Sequence, residues 1–327
     1  MRKEKTNNQT DSPQAGFTNR IFHDGGTVAS VLGTLNPGDE LLMGNHLYNL
    51  SAEHVFRTSG KLGISVRQTD MSDTEKLLGN ISEKTRMIWI ESPSGPTLRI
   101  SDMNIISATA HKHHITLVMD NTLGAPLLQD PTNLGVDYLI HRRVPSLKNS
   151  LKEGVEVVLG RTPQLGTTEH HQPVEGEEFA APFFKTSEKW FQRYGEEIDR
   201  LTRNTNQIAQ FLEESSSVAK VYYPGRPCHP DFSLAKKYQV APGNLLSFYL
   251  KEDNPEAAER VLRKTKIFNT AIEPSGEGSL ISNPSGMSLA HFPAFMKRRA
   301  GIRDSLLWLY IGKEPMNQLI DDLEGAL

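Results

Sequence analysis

The sequence predicts an α/β protein with a large domain on a mainly parallel sheet, followed by a smaller α+β domain. Three observations carry this. Short apolar runs alternate with helix-like stretches between residues 28 and 160, residues 161–176 have no periodicity and many breakers, and a long amphipathic stripe then opens a second, shorter alternation.

In the first half the strand candidates are 40–44 (ELLMG), 64–66, 87–91 (MIWIE), 115–120 (ITLVMD), 138–141 and 155–160 (VEVVLG). Helical candidates at 28–35, 52–62, 72–78 and 103–113 lie between them, as the crossovers of a parallel sheet require. The stretch RTPQLGTTEHHQPVEG reads as an exposed connection. Beyond it Trp190, Phe191, Tyr194, Ile198, Leu201, Ile208, Phe211 and Leu212 recur mostly three and four apart, the stripe of one long helix. Strands at 218–223, 245–250 and 306–311, with helices at 255–264 and 315–327, complete the small domain. The polar residues 1–24 read as a mobile lead-in, 25–176 as the large domain, and 177–327 as an interdomain helix with the small domain.

Composition excludes several classes. The 327 residues are 37% hydrophobic and 23% charged, the balance of a soluble globular protein, and a net charge of −3 gives no basic field for nucleic acid or an anionic membrane. One cysteine, Cys228, forbids an internal disulfide, and no apolar run is long enough to span a bilayer. With no signal-peptide pattern, a cytoplasmic location is expected.

In open α/β sheets ligands sit beyond the carboxyl ends of the strands. Asp120 ends one strand, where a carboxylate either pairs with a heterocyclic nitrogen or caps the following turn. His141 ends another and runs into Arg142 and Arg143, two guanidiniums that either bind an anion or form a solvated basic loop. The clusters at 111–114 and 169–171 lack the ligand spacing of a metal site, so no metal is expected. Cys228 and His229 are neighbours in sequence, a poor arrangement for a thiol–imidazole pair. Gly25-Gly26-Thr27 suits a phosphate or any loop-to-helix turn.

Further segments carry a resemblance. They are Pro37-Gly38-Asp39-Glu40, Asn45-His46-Leu47-Tyr48, Glu91-Ser92-Pro93, Asp120-Asn121-Thr122, Leu128-Gln129, Tyr222-Tyr223-Pro224-Gly225 with His229-Pro230, Asn283-Pro284 and Gly301-Ile302. In order and spacing, from about residue 25 onward, the chain resembles the Cys/Met-metabolism family of pyridoxal-phosphate (PLP) enzymes, of the cystathionine γ-synthase and methionine γ-lyase type. The resemblance implies a fold-type-I, aspartate-aminotransferase-like subunit. It matches Asp120 to the carboxylate that pairs with the pyridinium nitrogen and Tyr48 to the tyrosine stacked on the ring.

It also implies departures. The family lysine that forms a Schiff base with the cofactor stands where this chain has Pro145, which has no amine. Arg142 and Val144 replace the hydroxyls that hold the cofactor phosphate, and Gly95 replaces an asparagine near the cofactor. Trp308 replaces the arginine that binds the substrate carboxylate, and Glu273 the serine that assists it. Arg143 completes the altered cleft.

The expectation is therefore a degenerate homologue with no PLP bound, or PLP held at most without a covalent link, serving as a non-catalytic or partner subunit in a homodimer or in a heteromer with a related chain. Two alternatives are a PLP-independent enzyme taking a small or anionic ligand, with Asp120, Glu273 or His141 moving protons, and a C–S lyase in which Lys148 supplies the amine.

Overall fold

The computed structural model describes residues 18–23, 26–45, 50–124, 128–129, 134–142, 155–160, 188–272, 278–290 and 292–327. The alternating pattern of the first half becomes one sheet. Its elements are β1 (Thr18–His23), α1 (Gly26–Leu32), β2 (Glu40–Gly44), α2 (Leu50–Leu62), β3 (Ser65–Thr69), α3 (Thr74–Asn80), β4 (Thr85–Glu91), α4 (Met103–Lys112), β5 (Thr116–Asp120), β6 (Tyr138–Arg142) and β7 (Val155–Gly160). The strand order is β1-β7-β6-β5-β4-β2-β3. From β3 to β6 all neighbours are parallel, while β7 runs antiparallel to both β6 and β1.

The central strands are apolar on both faces, as a covered parallel sheet demands. Ile88, Ile90, Leu117 and Met119 join one core with Met103, Ile106 and Ala110 of α4. Met87, Trp89 and Val118 join the other with Val28, Val31 and Leu32 of α1 and Val55 of α2. Period-two alternation assigns successive residues to opposite layers. Asp73 and Asp102 start α3 and α4 by accepting the backbone N–H groups of Lys76 and Asn104.

β1 departs from expectation, since it falls within the 1–24 lead-in. Its six residues pair with β7 from Thr18↔Gly160 to His23↔Val155. Backbone pairing to a strand far along the chain organises this segment, and no local apolar pattern announces it.

The second half opens with α5 (Glu188–Glu214), followed by β8 (Val218–Tyr222), α6 (Phe232–Tyr238), β9 (Leu245–Leu250), α7 (Pro255–Lys264), β10 (Asn269–Thr270), β11 (Leu280–Ser282), α8 (Ala294–Arg299), β12 (Leu306–Tyr310) and α9 (Met316–Ala326). The sheet order is β10-β11-β12-β9-β8. One sheet face packs Leu246, Phe248, Leu307 and Leu309 against Ile208, Ala209 and Leu212 of α5, Val261 of α7 and Leu319 and Leu323 of α9. The sequence reading has no β10, β11, α6 or α8. Each is only two to seven residues long, too short to show a period.

A polar clasp joins the two halves. The Arg99 guanidinium donates to both oxygens of Asp231, at 2.6 and 3.1 Å, and Asp231 also accepts the Ile100 N–H at 2.9 Å. The Asp231 N–H donates to His229 Nδ1 at 3.1 Å. That leaves the proton on Nε2, which donates to the Thr97 carbonyl at 3.2 Å. Burial opposes the Arg99 charge, but the bond and charge of Asp231 outweigh it and raise the guanidinium pKa. Burial also pushes His229 below the usual imidazole range, despite opposing help from the Thr97 carbonyl and Asp231.

Two outcomes follow from the clasp. Asp231→Ala strands a largely buried guanidinium and should cost about 3 kcal/mol in urea unfolding. Because the folded state lowers the His229 pKa, the unfolded chain binds that proton more readily. The contribution of His229 is present above the ordinary imidazole pKa and is lost as pH falls below it. Urea midpoints measured from about pH 7.5 to 5 should fall more steeply for the wild type than for His229→Gln.

Candidate functional site

The site is organised at the carboxyl ends of β4, β5 and β6. Glu91 and Asp120 end adjacent strands in register, and both are buried, at 2% and 1% exposure. Asp120 pairs in register with Ile140, so His141 and Arg142 continue the rim on β6. Asp120 Oδ1 accepts the Thr122 N–H at 3.0 Å, the local turn that one sequence reading anticipated.

A buried amide lattice fixes this rim. Asn121 is fully buried and its N–H donates to the Ile140 carbonyl at 2.9 Å. Gln129 Nε2 donates to Asn121 Oδ1 at 3.2 Å and to the Ser92 carbonyl at 3.1 Å. Ser92 Oγ accepts the Ser101 N–H at 3.2 Å, closing the loop that follows β4. Within that loop Ser94 and Arg99 exchange backbone hydrogen bonds at 2.8 and 3.1 Å, and Gly95 sits in the turn between them. The Arg99–Asp231 clasp anchors the same loop from the small domain.

Gly124 is required here by space. A Cβ at that position would lie 2.2 Å from Asn121 Oδ1 and 3.3 Å from Pro93 Cδ. Leu123 next to it packs against the small-sheet cluster of Tyr249, Leu289, Ile302, Leu306 and Trp308, with Tyr222 and Phe292 at its margin. Leu123, three residues beyond Asp120, thus links the end of β5 to the small-sheet cluster that holds Trp308. Trp308 is 4% exposed.

Tyr48, Arg143, Val144, Pro145, Lys148 and Glu273 lie outside the described residues, as do the side chains of His141 and Arg142. The cysteine is engaged by a carboxylate of α5. Cys228 Sγ donates to Glu213 at 2.9 Å, and burial followed by that carboxylate pushes the thiol up to about 11. Its neighbour His229 points into the clasp, so the two form no catalytic pair. Among the described residues no group of three or more His, Cys, Asp or Glu is placed to hold a metal ion, and no helix is long and apolar enough to cross a membrane.

Sequence reasoning missed Asn121, Gln129, Arg99 and Asp231 as site-forming residues. Leu128-Gln129 and Asp120-Asn121 carry the resemblance, but nothing in their spacing reveals that their amides bond to each other. Arg99 and Asp231 lie 132 positions apart, beyond any local pattern.

A family model described as Cys/Met metabolism PLP-dependent enzyme matches residues 20–148 and 195–327. Cystathionine beta-lyase of Coxiella burnetii is 34% identical over 97% of this chain and 82% of its own length. L-methionine gamma-lyase of Pseudomonas putida is 29% identical over 92% of this chain and 76% of its own. Among solved structures, cystathionine gamma-lyase of Lactobacillus plantarum complexed with L-serine superposes with a TM-score of 0.79 at 26% identity, over 96% of this chain and 82% of that one. Cystathionine gamma synthase of Xanthomonas oryzae, in complex with aminoacrylate and cysteine, gives 0.80 at 26% identity with the same coverage.

These findings overturn the expectation that no cofactor is bound, because the matching family is one of PLP-dependent enzymes. The geometry accommodates the correction. A buried carboxylate at a strand's carboxyl end, held by its own turn and by a locked amide lattice, fits a protonated heterocyclic nitrogen.

Gly124→Ala should force Asn121 away from Gln129 and cost about 2 kcal/mol, read as a lower urea midpoint at unchanged m-value.

Proposed function

Because the chain belongs to the Cys/Met metabolism PLP-dependent enzyme family, we propose that it binds PLP in the crevice beyond β4, β5 and β6 and acts as a partner subunit without conventional lyase turnover. The observation that carries the binding half is buried Asp120 on its amide lattice. The resemblance of Pro145 to the lysine position and of Trp308 to the carboxylate-binding arginine supports the other half.

PLP, when bound, supplies an electron sink for charge developing on a substrate carbon. Asp120 would be the residue that pairs with the protonated ring nitrogen, from its buried place at the end of β5. Asn121, Gln129 and Ser92 hold that carboxylate's strand end still, so the pairing needs no reorganisation. Pro145 has no amine with which to hold the cofactor covalently or to carry a proton from the substrate carbon. Trp308 offers an indole where an amino-acid carboxylate needs a guanidinium.

The relatives act on cystathionine and L-methionine by name, which makes those two compounds the reference substrates. A partner role agrees with assembly as a homodimer or with a related, competent chain. The resemblance implies an active site beside a subunit interface, which supports this reading.

The test is an absorbance titration of the full chain with PLP, with and without borohydride, alongside elimination assays on L-methionine and cystathionine. Saturable binding that Asp120→Ala weakens about tenfold, no covalent adduct and no elimination product are expected. A borohydride-fixed adduct that Lys148→Ala abolishes, accompanied by elimination, would return the chain to the working lyases.

A further inference from the structure

The outer side of α5 carries an ordered set of charges. Ile198, Leu201 and Ile208 turn one face of the helix inward. Glu196, Asp199, Arg200 and Arg203 fall on the opposite face, within about 100° of arc at 3.6 residues per turn. Glu196, Asp199 and Arg203 are exposed and Arg200 is half-buried. Along the chain both acids precede both bases.

These four charges do not satisfy one another. Glu196 to Arg200 and Asp199 to Arg203 each have the four-residue spacing, acid first, that closes ion pairs along a helix. Among the described residues neither pair closes, and Arg200 makes only a long bond, 3.5 Å, to the Lys313 carbonyl. The neighbouring Glu197 is taken by Lys313 at 3.0 Å. Glu196, Glu197, Asp199, Arg200, Arg203 and Lys313 together line an open cleft of about 560 Å³, which has room for side chains from outside.

The order of the charges says what fits there. Residues 196 and 203, and residues 199 and 200, lie symmetrically about the midpoint between Asp199 and Arg200. A second α5 laid antiparallel on the first therefore puts Glu196 opposite Arg203 of the second copy and Asp199 opposite its Arg200. A two-fold axis produces this arrangement and repeats each pairing, so every acid meets a base. A parallel approach would set acid against acid. The four charges sum to zero, so the two faces do not repel each other as they approach. The set also runs about 10 Å along the helix axis, a length that a second helix matches and a small dipolar molecule does not.

We infer that the 196–203 face of α5 is a docking surface for a second copy of this chain, with the two helices antiparallel about a two-fold axis and the cleft receiving the long side chains of the copy. Exposed ion pairs are individually weak and are screened by salt. The contact therefore sets the register of two subunits and makes their association sensitive to ionic strength. It requires neither PLP nor Asp120, and so stands apart from the cofactor reading.

Sedimentation of the full chain over a range of protein concentrations tests it, in about 0.05 M and about 0.5 M salt. The wild type should self-associate about tenfold more weakly at the higher salt. The double variant Glu196→Arg/Asp199→Arg makes the face wholly basic, and Arg200→Glu/Arg203→Glu makes it wholly acidic. Each alone should self-associate about tenfold more weakly than the wild type at low salt, and an equimolar mixture of the two should recover the wild-type affinity. That recovery also shows that both variants are folded. Association indifferent to salt and to both variants, a mixture as weak as its components, or a wild type that remains a single chain throughout would each overturn the docking face. PLP titration of the same variants separates the readings, since the face can fail while PLP still binds and can hold where PLP does not.

Discussion

The structure turns on the ion pair between Arg99 and Asp231. The large and small sheets each bury their own apolar core, and the clasp joins them together with the Gln129–Gln239 bridge, the Tyr238–Asp102 hydrogen bond and the packing of Leu123 and Leu128 against small-domain residues. It ties the loop that leaves β4 to the segment that enters α6, and His229 reinforces it by donating to Thr97 in the same loop. With that loop fixed, Ser92 meets Gln129, Gln129 meets Asn121, and the end of β5 is held where Asp120 is useful. Charge pairing between distant parts of the chain thereby becomes precision at the strand ends.

Much of the fold was legible in the sequence because the central strands are covered on both sides. A run such as MIWIE or ITLVMD can hardly be anything but a buried strand when helices flank it. Asp120 was legible for the same reason, as the first polar residue after such a run. The short elements were not, because two or three residues of β10 or β11 carry no period. The amide lattice and the clasp depend on contacts between residues that the sequence keeps far apart.

Trp308 shows how much a shared architecture leaves to the side chain at one position. The sheet around it is the one its relatives use, and the superpositions preserve the overall path of the chain. An indole in that sheet is nevertheless packed with Leu306, Ile302 and Tyr249. Backbone hydrogen bonds in the ladder are indifferent to the side chain they carry. The ladder therefore fixes the path of the strand and leaves the side chain at this position open.

The pairing of β1 with β7 has a consequence for how the molecule is made. The first described strand to leave the ribosome finds its neighbour only after every other strand of the large sheet has been synthesised. Until then the inner edge of β6 also lacks its partner, so an open sheet with two waiting edges exists throughout that interval. Such edges are templates for pairing with other chains, and the late contact makes the closing of this sheet slow by topology alone. The nascent large domain is thus the stage at which this protein would most depend on a chaperone.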